Sequence, residues 1–238
     1  MNKLVSVVIP CYFMQGWGKS FVKYSLDQLE KQTFEDFEVV ITDHSQDDGI
    51  MNVANLFKDK LDIKYIRNEN KRGSSSANFN NGIDHAAGDI IKFLCQDDYL
   101  YQETSLEKIV HGFEQENGWL VSAYLHAHNR GNPGNLHIPD PMNFSYSNNL
   151  IGTPSCLTIL NDNPMKFDEE LNWYLDADYY HRLVERYGQP VVIEEPTFVQ
   201  FLWAGQMTNT IVTAELDQKE KAYLEEKYGN KTEEIVSS

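Results

Sequence analysis

Residues 89–98 read DIIKFLCQDD, a mostly apolar run that ends on two adjacent carboxylates, Asp97 and Asp98. Such a run is too short for a core helix and suits a strand buried on both faces of a helix-covered parallel sheet. Three runs of the same character precede it: LVSVVI at 4–9, FEVVIT at 37–42 and IKYI at 63–66. The stretches between them have helical period. Val22, Ser25, Leu26 and Leu29 recur at i, i+3, i+4, i+7 within 19–32; Ile50, Val53, Ala54 and Phe57 share one face of 50–57. Residues 75–87 are helical in period and stop at Gly88. Strand and helix alternate four times with short connections. This predicts a Rossmann-like α/β fold with a mostly parallel sheet flanked by helices.

Beyond residue 98 the alternation ends and a mixed region is expected. Thr104-Ser-Leu-Glu107 reads as a capping box opening a helix to about 113. Strands are expected at 119–126, 156–160 and 191–193, with a helix over 176–187 stopped by Gly188. Residues 127–150, rich in Asn, Gly, Pro and His, read as one long irregular loop, and 215–228 as a charged peripheral helix before a polar tail.

The 238 residues carry 36 acidic and 20 basic side chains, a net charge of −16. A surface this negative repels a phosphate backbone, which argues against a nucleic-acid partner, and repels an anionic membrane. An anionic ligand would need a bridging cation or a focused positive spot. Three separated cysteines (Cys11, Cys95, Cys156) without a C-x-x-C argue against a zinc cluster or a disulfide framework and fit a reducing compartment. No stretch approaches the ~18 apolar residues of a transmembrane segment. The Met-Asn-Lys start lacks the apolar region of a signal peptide, so a cytoplasmic location is expected.

In open parallel sheets, ligands sit beyond the carboxyl ends of the strands. Those ends carry Pro10-Cys11-Tyr12, Asp43-His44-Ser45, Arg67-Asn68 and Gln96-Asp97-Asp98. Paired carboxylates at 97 and 98 suit a hard divalent cation completed by substrate phosphates, or a solvated turn. No G-x-G-x-x-G follows the first strand and no P-loop occurs. Gly73-Ser-Ser-Ser is a turn able to offer N–H groups to phosphate. Asp176 and Asp178 open a helix, either as acids stabilising its N-terminus or with one of them as a general base. His126, His128 and His137 are loop histidines or a second metal site. Trp173 and Trp203 are core residues or sugar-stacking platforms.

Taken in order, VSVVIPCY at 5–12, QTFEDFE at 32–38, ITDHSQDD at 41–48, NNGIDHAAGDIIKFLCQDD at 80–98 and FDEELNWYLDADYYHRL at 167–183 resemble the family-2 glycosyltransferases of GT-A fold. The resemblance implies one GT-A domain over 1–238. It divides into a nucleotide-sugar-binding half (1–100), an acceptor-side half (101–214) and a C-terminal helix and tail (215–238). It also implies roles. Asp43 would hold the nucleotide base, and Pro10, Tyr12, Arg72 and Asn80 would line the nucleotide site. Asp97 would meet ribose or metal, Asp98 would be the principal ligand of Mn²⁺ or Mg²⁺, and Asp176 would be the catalytic base. The expected reaction is inverting transfer from a nucleotide-diphosphate sugar, with uridine the default base, to a glycan or lipid-linked hydroxyl. Self-association into a homo-oligomer is compatible with it.

Cys95 and Leu175 stand where the family has acids, and Thr42-Asp43-His44-Ser45 where it has Asp-Asp-Gly-Ser. A helix-start position is expected to lower the Asp176 pKa. Two other readings share the fold: a non-catalytic nucleotide-sugar-binding relative and a nucleotide-sugar pyrophosphorylase. The latter needs a Gly-rich basic loop that Pro10-Cys11-Tyr12-Phe13 does not supply.

Overall fold

A computed structural model describes residues 4–113 and 117–229. The Met-Asn-Lys start and the polar tail after 229 lie outside the described residues. Four parallel strands form the N-terminal half of the sheet: β1 (Val5–Cys11), β2 (Phe37–Asp43), β3 (Ile63–Arg67) and β4 (Ile90–Phe93). Their spatial order is β3-β2-β1-β4, with Cys11 level with Asp43 and Asp43 level with Arg67. Helices α1 (Gly18–Leu29) and α2 (Gly49–Phe57) connect the strands on one side of β1. Helix α3 (Ser75–His85) carries the chain back past β1 to β4. Right-handed crossovers running in opposite directions put α3 on the other face of the sheet from α1 and α2. The order therefore reverses between β1 and β4, and a crevice opens at their carboxyl ends.

The sheet continues beyond β4 through β8 (Leu157–Leu160), β6 (Trp119–Ala127), β9 (Val191–Phe201) and the two-residue β5 (Tyr99–Leu100), with β7 (Gly134–His137) on β6. Here directions are mixed: β8 is antiparallel to β4 and β6, β6 and β9 are parallel, and β5 and β7 are antiparallel to their neighbours. The α/β fold with its mixed second half is as expected.

Several elements differ from the sequence reading. Strand β9 runs eleven residues rather than three. Glu194-Glu195-Pro196 looks like a strand breaker, but the ladder to β6 shifts register between Ser122 and Tyr124, and the proline sits in that irregularity, where no ladder N–H is needed. The 127–150 segment contains β7 and is not wholly irregular. Helix α4 (Ser105–Gly112) forms without the expected capping box: the Thr104 side chain caps nothing, and the Glu107 carboxylate accepts from Thr33 Oγ1 at 3.0 Å instead.

Helix α5 (Leu175–Tyr187) stops at Gly188 as expected. After the short α6 (Met207–Thr210), helix α7 (Ala214–Tyr228) is not peripheral: Glu220, Leu224 and Tyr228 are buried. The fully buried Asp178 accepts from Arg182 (2.6 Å), Lys227 (2.7 Å) and Tyr228 (2.6 Å), binding α7 to α5. No helix among the described residues is long and apolar enough to cross a membrane.

Candidate active site

At the carboxyl ends of β1 and β4 lies a cavity of about 550 Å³. Its walls are Pro10, Cys11 and Tyr12 at the end of β1, Gln96, Asp97 and Asp98 after β4, the start of α3, the 172–177 segment and residues around α6. Gln96 ties two of these ends together, its Oε1 accepting from the Tyr12 N–H at 2.7 Å. Asn78, on α3, donates from Nδ2 to the carbonyls of Cys11 and Thr42, both at 3.0 Å, and so pins α3 under the ends of β1 and β2.

Asp97, Asp98 and Asp176 line this one cavity. Asp98 is 2% exposed; Oδ2 accepts from Ser155 Oγ at 2.6 Å and Oδ1 from the Phe201 N–H at 3.1 Å. Burial holds its carboxyl well above the usual carboxylate range, and the neighbouring Asp97 charge adds to this. Asp97 is less enclosed. Its Oδ2 accepts from Trp203 Nε1 at 2.9 Å, and burial raises its pKa too. Beneath them Lys92 is fully buried, donating to the Ser155 carbonyl, and burial lowers its ammonium pKa to about 8. Two like charges with one weakened counter-charge are what a bound divalent cation would relieve.

Asp176 sits in the first turn of α5, its Oδ1 on the Ala177 N–H at 2.7 Å and its Oδ2 on Asn149 Nδ2 at 3.1 Å. Its pKa is raised to about 7, not lowered as its helix-start position suggested. Desolvation by the surrounding protein outweighs the hydrogen bonds that favour the carboxylate, and Glu220 adds a small further rise.

Three expected nucleotide contacts are not brought to the cavity. Asp43 is wholly buried behind it, Oδ1 on the Ser45 N–H (2.7 Å) and Oδ2 on the Tyr65 hydroxyl (2.8 Å). Asn80 faces the other way, its Nδ2 donating to the Phe167 carbonyl at 2.9 Å and its Oδ1 accepting from the Phe167 N–H at 2.7 Å. Arg72 lies at the surface on Glu69 at 3.2 Å.

His44 lines the cavity in place of Asp43. It is 4% exposed, and its Nε2 has no hydrogen-bond partner among the described residues. Gln96 Nε2 is a second orphan of this kind on the same wall. The His44 pKa is lowered, chiefly by burial. Asp43 is the last residue of β2. Side chains alternate along an extended chain, and the next residue is the one that faces the opening.

Other candidates resolve structurally. His126 and His137 hydrogen-bond to the carbonyls of Asn135 and Ile151, and the described residues contain no cluster of three or more metal-ligating side chains. The three thiols are free, and burial pushes each one up, so none is an activated nucleophile. Trp173 lines the cavity. Trp203 packs on Phe21, with ring centroids 4.9 Å apart.

The family model for Glycosyl transferase family 2 matches residues 6–160. The chain belongs to this family. Within family 2 it is similar to GalNAc(5)-diNAcBac-PP-undecaprenol beta-1,3-glucosyltransferase of Campylobacter jejuni, with 35% identity over 117 residues, 48% of this chain and 36% of that protein. It is 26% identical over 174 residues, 70% of this chain and 30% of the other, to the poly(ribitol-phosphate) beta-N-acetylglucosaminyltransferase TarS of Staphylococcus aureus. The chain thus spans about a third of the length of these relatives.

Among solved structures, TarS 1–349 in complex with UDP-GlcNAc superposes with a TM-score of 0.70 at 20% identity, covering 90% of this chain and 62% of that one. The mannosyltransferase PcManGT of Pyrobaculum calidifontis, in complex with GDP-Man and Mn²⁺, gives 0.60 at 16% identity, covering 84% and 57%. The fold of this family 2 chain is accordingly that of the GT-A glycosyltransferases.

Proposed function

We propose that this chain transfers a sugar from a uridine-diphosphate sugar to a hydroxyl of a glycan or lipid-linked glycan, with inversion at the anomeric carbon and Asp176 as the general base. One observation carries the reading: Asp97, Asp98 and an Asp176 whose pKa is raised to about 7 line a single cavity at the reversal of strand order. A base with a pKa near neutrality combines a substantial ionised fraction with real proton affinity. As the acceptor oxygen attacks the anomeric carbon, Asp176 takes the hydroxyl proton. The bond to the nucleotide phosphate breaks, and the diphosphate leaves on the opposite face. The names of the relatives support this substrate class: one acts on an undecaprenol-linked acceptor, and TarS is seen with UDP-GlcNAc.

His44 reads the nucleobase. Its ring bond to the Asn70 backbone favours the protonated form, which fits Nδ1–H donating to the carbonyl. The neutral ring then presents Nε2 as a bare acceptor, matched to the N3–H of uracil. Pro10 and Tyr12 form the wall beside it.

The carboxylates of Asp97 and Asp98 would hold a divalent cation, Mn²⁺ or Mg²⁺. Two adjacent acids plus substrate phosphates are a sufficient donor set, and each engaged oxygen keeps a second lone pair. When bound, the ion supplies positive charge against the leaving diphosphate.

Asp176→Asn tests the reading. Transfer should fall by ~10²–10⁴-fold while UDP binding, followed by calorimetry, stays at the wild-type value. Retained turnover in the variant would remove Asp176 from the reaction.

A further inference from the structure

Helix α7 lies beyond the 6–160 span of the family model, yet it reaches the wall of the active-site cavity. Its residue Glu220 is 2% exposed and faces the chain just ahead of α5. There its Oε1 accepts from the Asn172 N–H, and its Oε2 from the N–H groups of both Trp173 and Tyr174, each at 2.9 Å. Three successive backbone donors converging on one carboxylate make a tight, charge-assisted clamp. All three residues line the cavity, and Asp176 follows two positions later. The same segment is held from the other side by α3. Ser75 N–H donates to Asn172 Oδ1 at 2.9 Å, and Ser76 Oγ to the Leu171 carbonyl at 2.5 Å. Asp217 on α7 adds a bond from the Tyr174 hydroxyl at 2.8 Å.

We infer that Glu220 is a positioning residue for catalysis, its carboxylate fixing the 172–174 segment and through it the place of the Asp176 side chain against the acceptor hydroxyl. The inference rests on the reading of Asp176 as the base. Stability alone does not call for the arrangement, because α7 is already fastened through Lys227 and Tyr228 to Asp178 and through Tyr223 to Asp168.

Glu220 also acts on Asp176 electrostatically. Among the described residues Tyr124 on β6, Cys156 ahead of β8 and Tyr180 on α5 also interact with Asp176, and burial raises all three, which keeps them neutral near pH 7; Asp97 and Asp98 share its cavity. Burial does most of the lifting of the Asp176 pKa and the Glu220 charge adds a smaller rise, so removing that charge lowers it.

The test compares Glu220→Gln, Glu220→Asp, Tyr223→Phe and Asp176→Asn as full chains, with UDP-sugar turnover measured across pH and UDP affinity by calorimetry. Glu220→Gln should lower kcat by about 10²-fold, the scale of a small misplacement of a reacting group, leave UDP affinity unchanged and move the acidic limb of the kcat profile to lower pH. Tyr223→Phe, which loosens α7 at Asp168, should lower the melting temperature without moving that limb.

A folded Glu220→Gln with wild-type kcat and limb overturns the proposal, and so does an equal limb shift in Tyr223→Phe. If Glu220→Gln does not fold, Glu220→Asp decides: its shorter reach should lower kcat while keeping the limb, and wild-type kcat would overturn the proposal. Turnover surviving Asp176→Asn would instead strike the underlying assignment of the base.

Discussion

Asp176 shows burial and helix position acting in opposite directions on one carboxyl. The first turn of α5 favours the anion, and desolvation in the cavity wall wins, bringing the pKa to about 7. The folded state thus holds the proton more tightly than the unfolded chain. The stability this gives is present at low pH and lost as pH rises through about 7. Asp176→Asn should therefore gain melting temperature relative to wild type more at pH 8.5 than at pH 5.5. Scanning fluorimetry at the two pH values checks this, and a pH-independent difference would contradict the buried-charge account.

The neighbouring wall gives a second test at this scale. His44→Phe keeps a ring and removes Nε2, the acceptor proposed for the uracil N–H. UDP binding should weaken roughly five- to tenfold, about 1 kcal/mol or somewhat more, with free phosphate binding unaffected. Asp43, Arg72 and Asn80 were legible as residues near strand ends and helix starts, but not as side chains engaged elsewhere. Which way a residue points at a strand end depends on the partners it finds, and Tyr65 and Phe167 are distant in sequence from the residues they hold.

At the scale of elements, the four βα repeats were readable because the strands are short, mostly apolar runs and each helix has one apolar stripe. Strand β9 was readable only over its first three residues, and α7 was readable as a helix but not as a buried one. Strand β9 passes through a proline at a register shift, and α7 shows almost no amphipathic pattern because acids and tyrosines do much of its docking. The docking centre is Asp178, fully buried and bonded to Arg182, Lys227 and Tyr228. Asp178→Ala would strand those partners. It should cost ~3–5 kcal/mol of unfolding free energy, read as a lower denaturation midpoint in urea. A loss below about 1 kcal/mol would mean that α7 does not depend on this cluster.

The molecule as a whole carries a net charge of −16, yet its site is proposed to bind a diphosphate. Lys92, buried and hydrogen-bonded to the Ser155 carbonyl, is a cation that acts on Asp98, and burial weakens its charge. On this account an added divalent ion carries the missing positive charge. The most direct measurement is a calorimetric titration of UDP into the wild-type chain, Asp97→Asn, Asp98→Asn and Asp176→Asn, each with Mn²⁺ and with EDTA. Mn²⁺ should tighten UDP binding by at least about tenfold in the wild type and in Asp176→Asn, and by much less in the other two variants. UDP affinity indifferent both to the metal and to the loss of Asp97 or Asp98 would contradict the claim that these carboxylates share one nucleotide-diphosphate site.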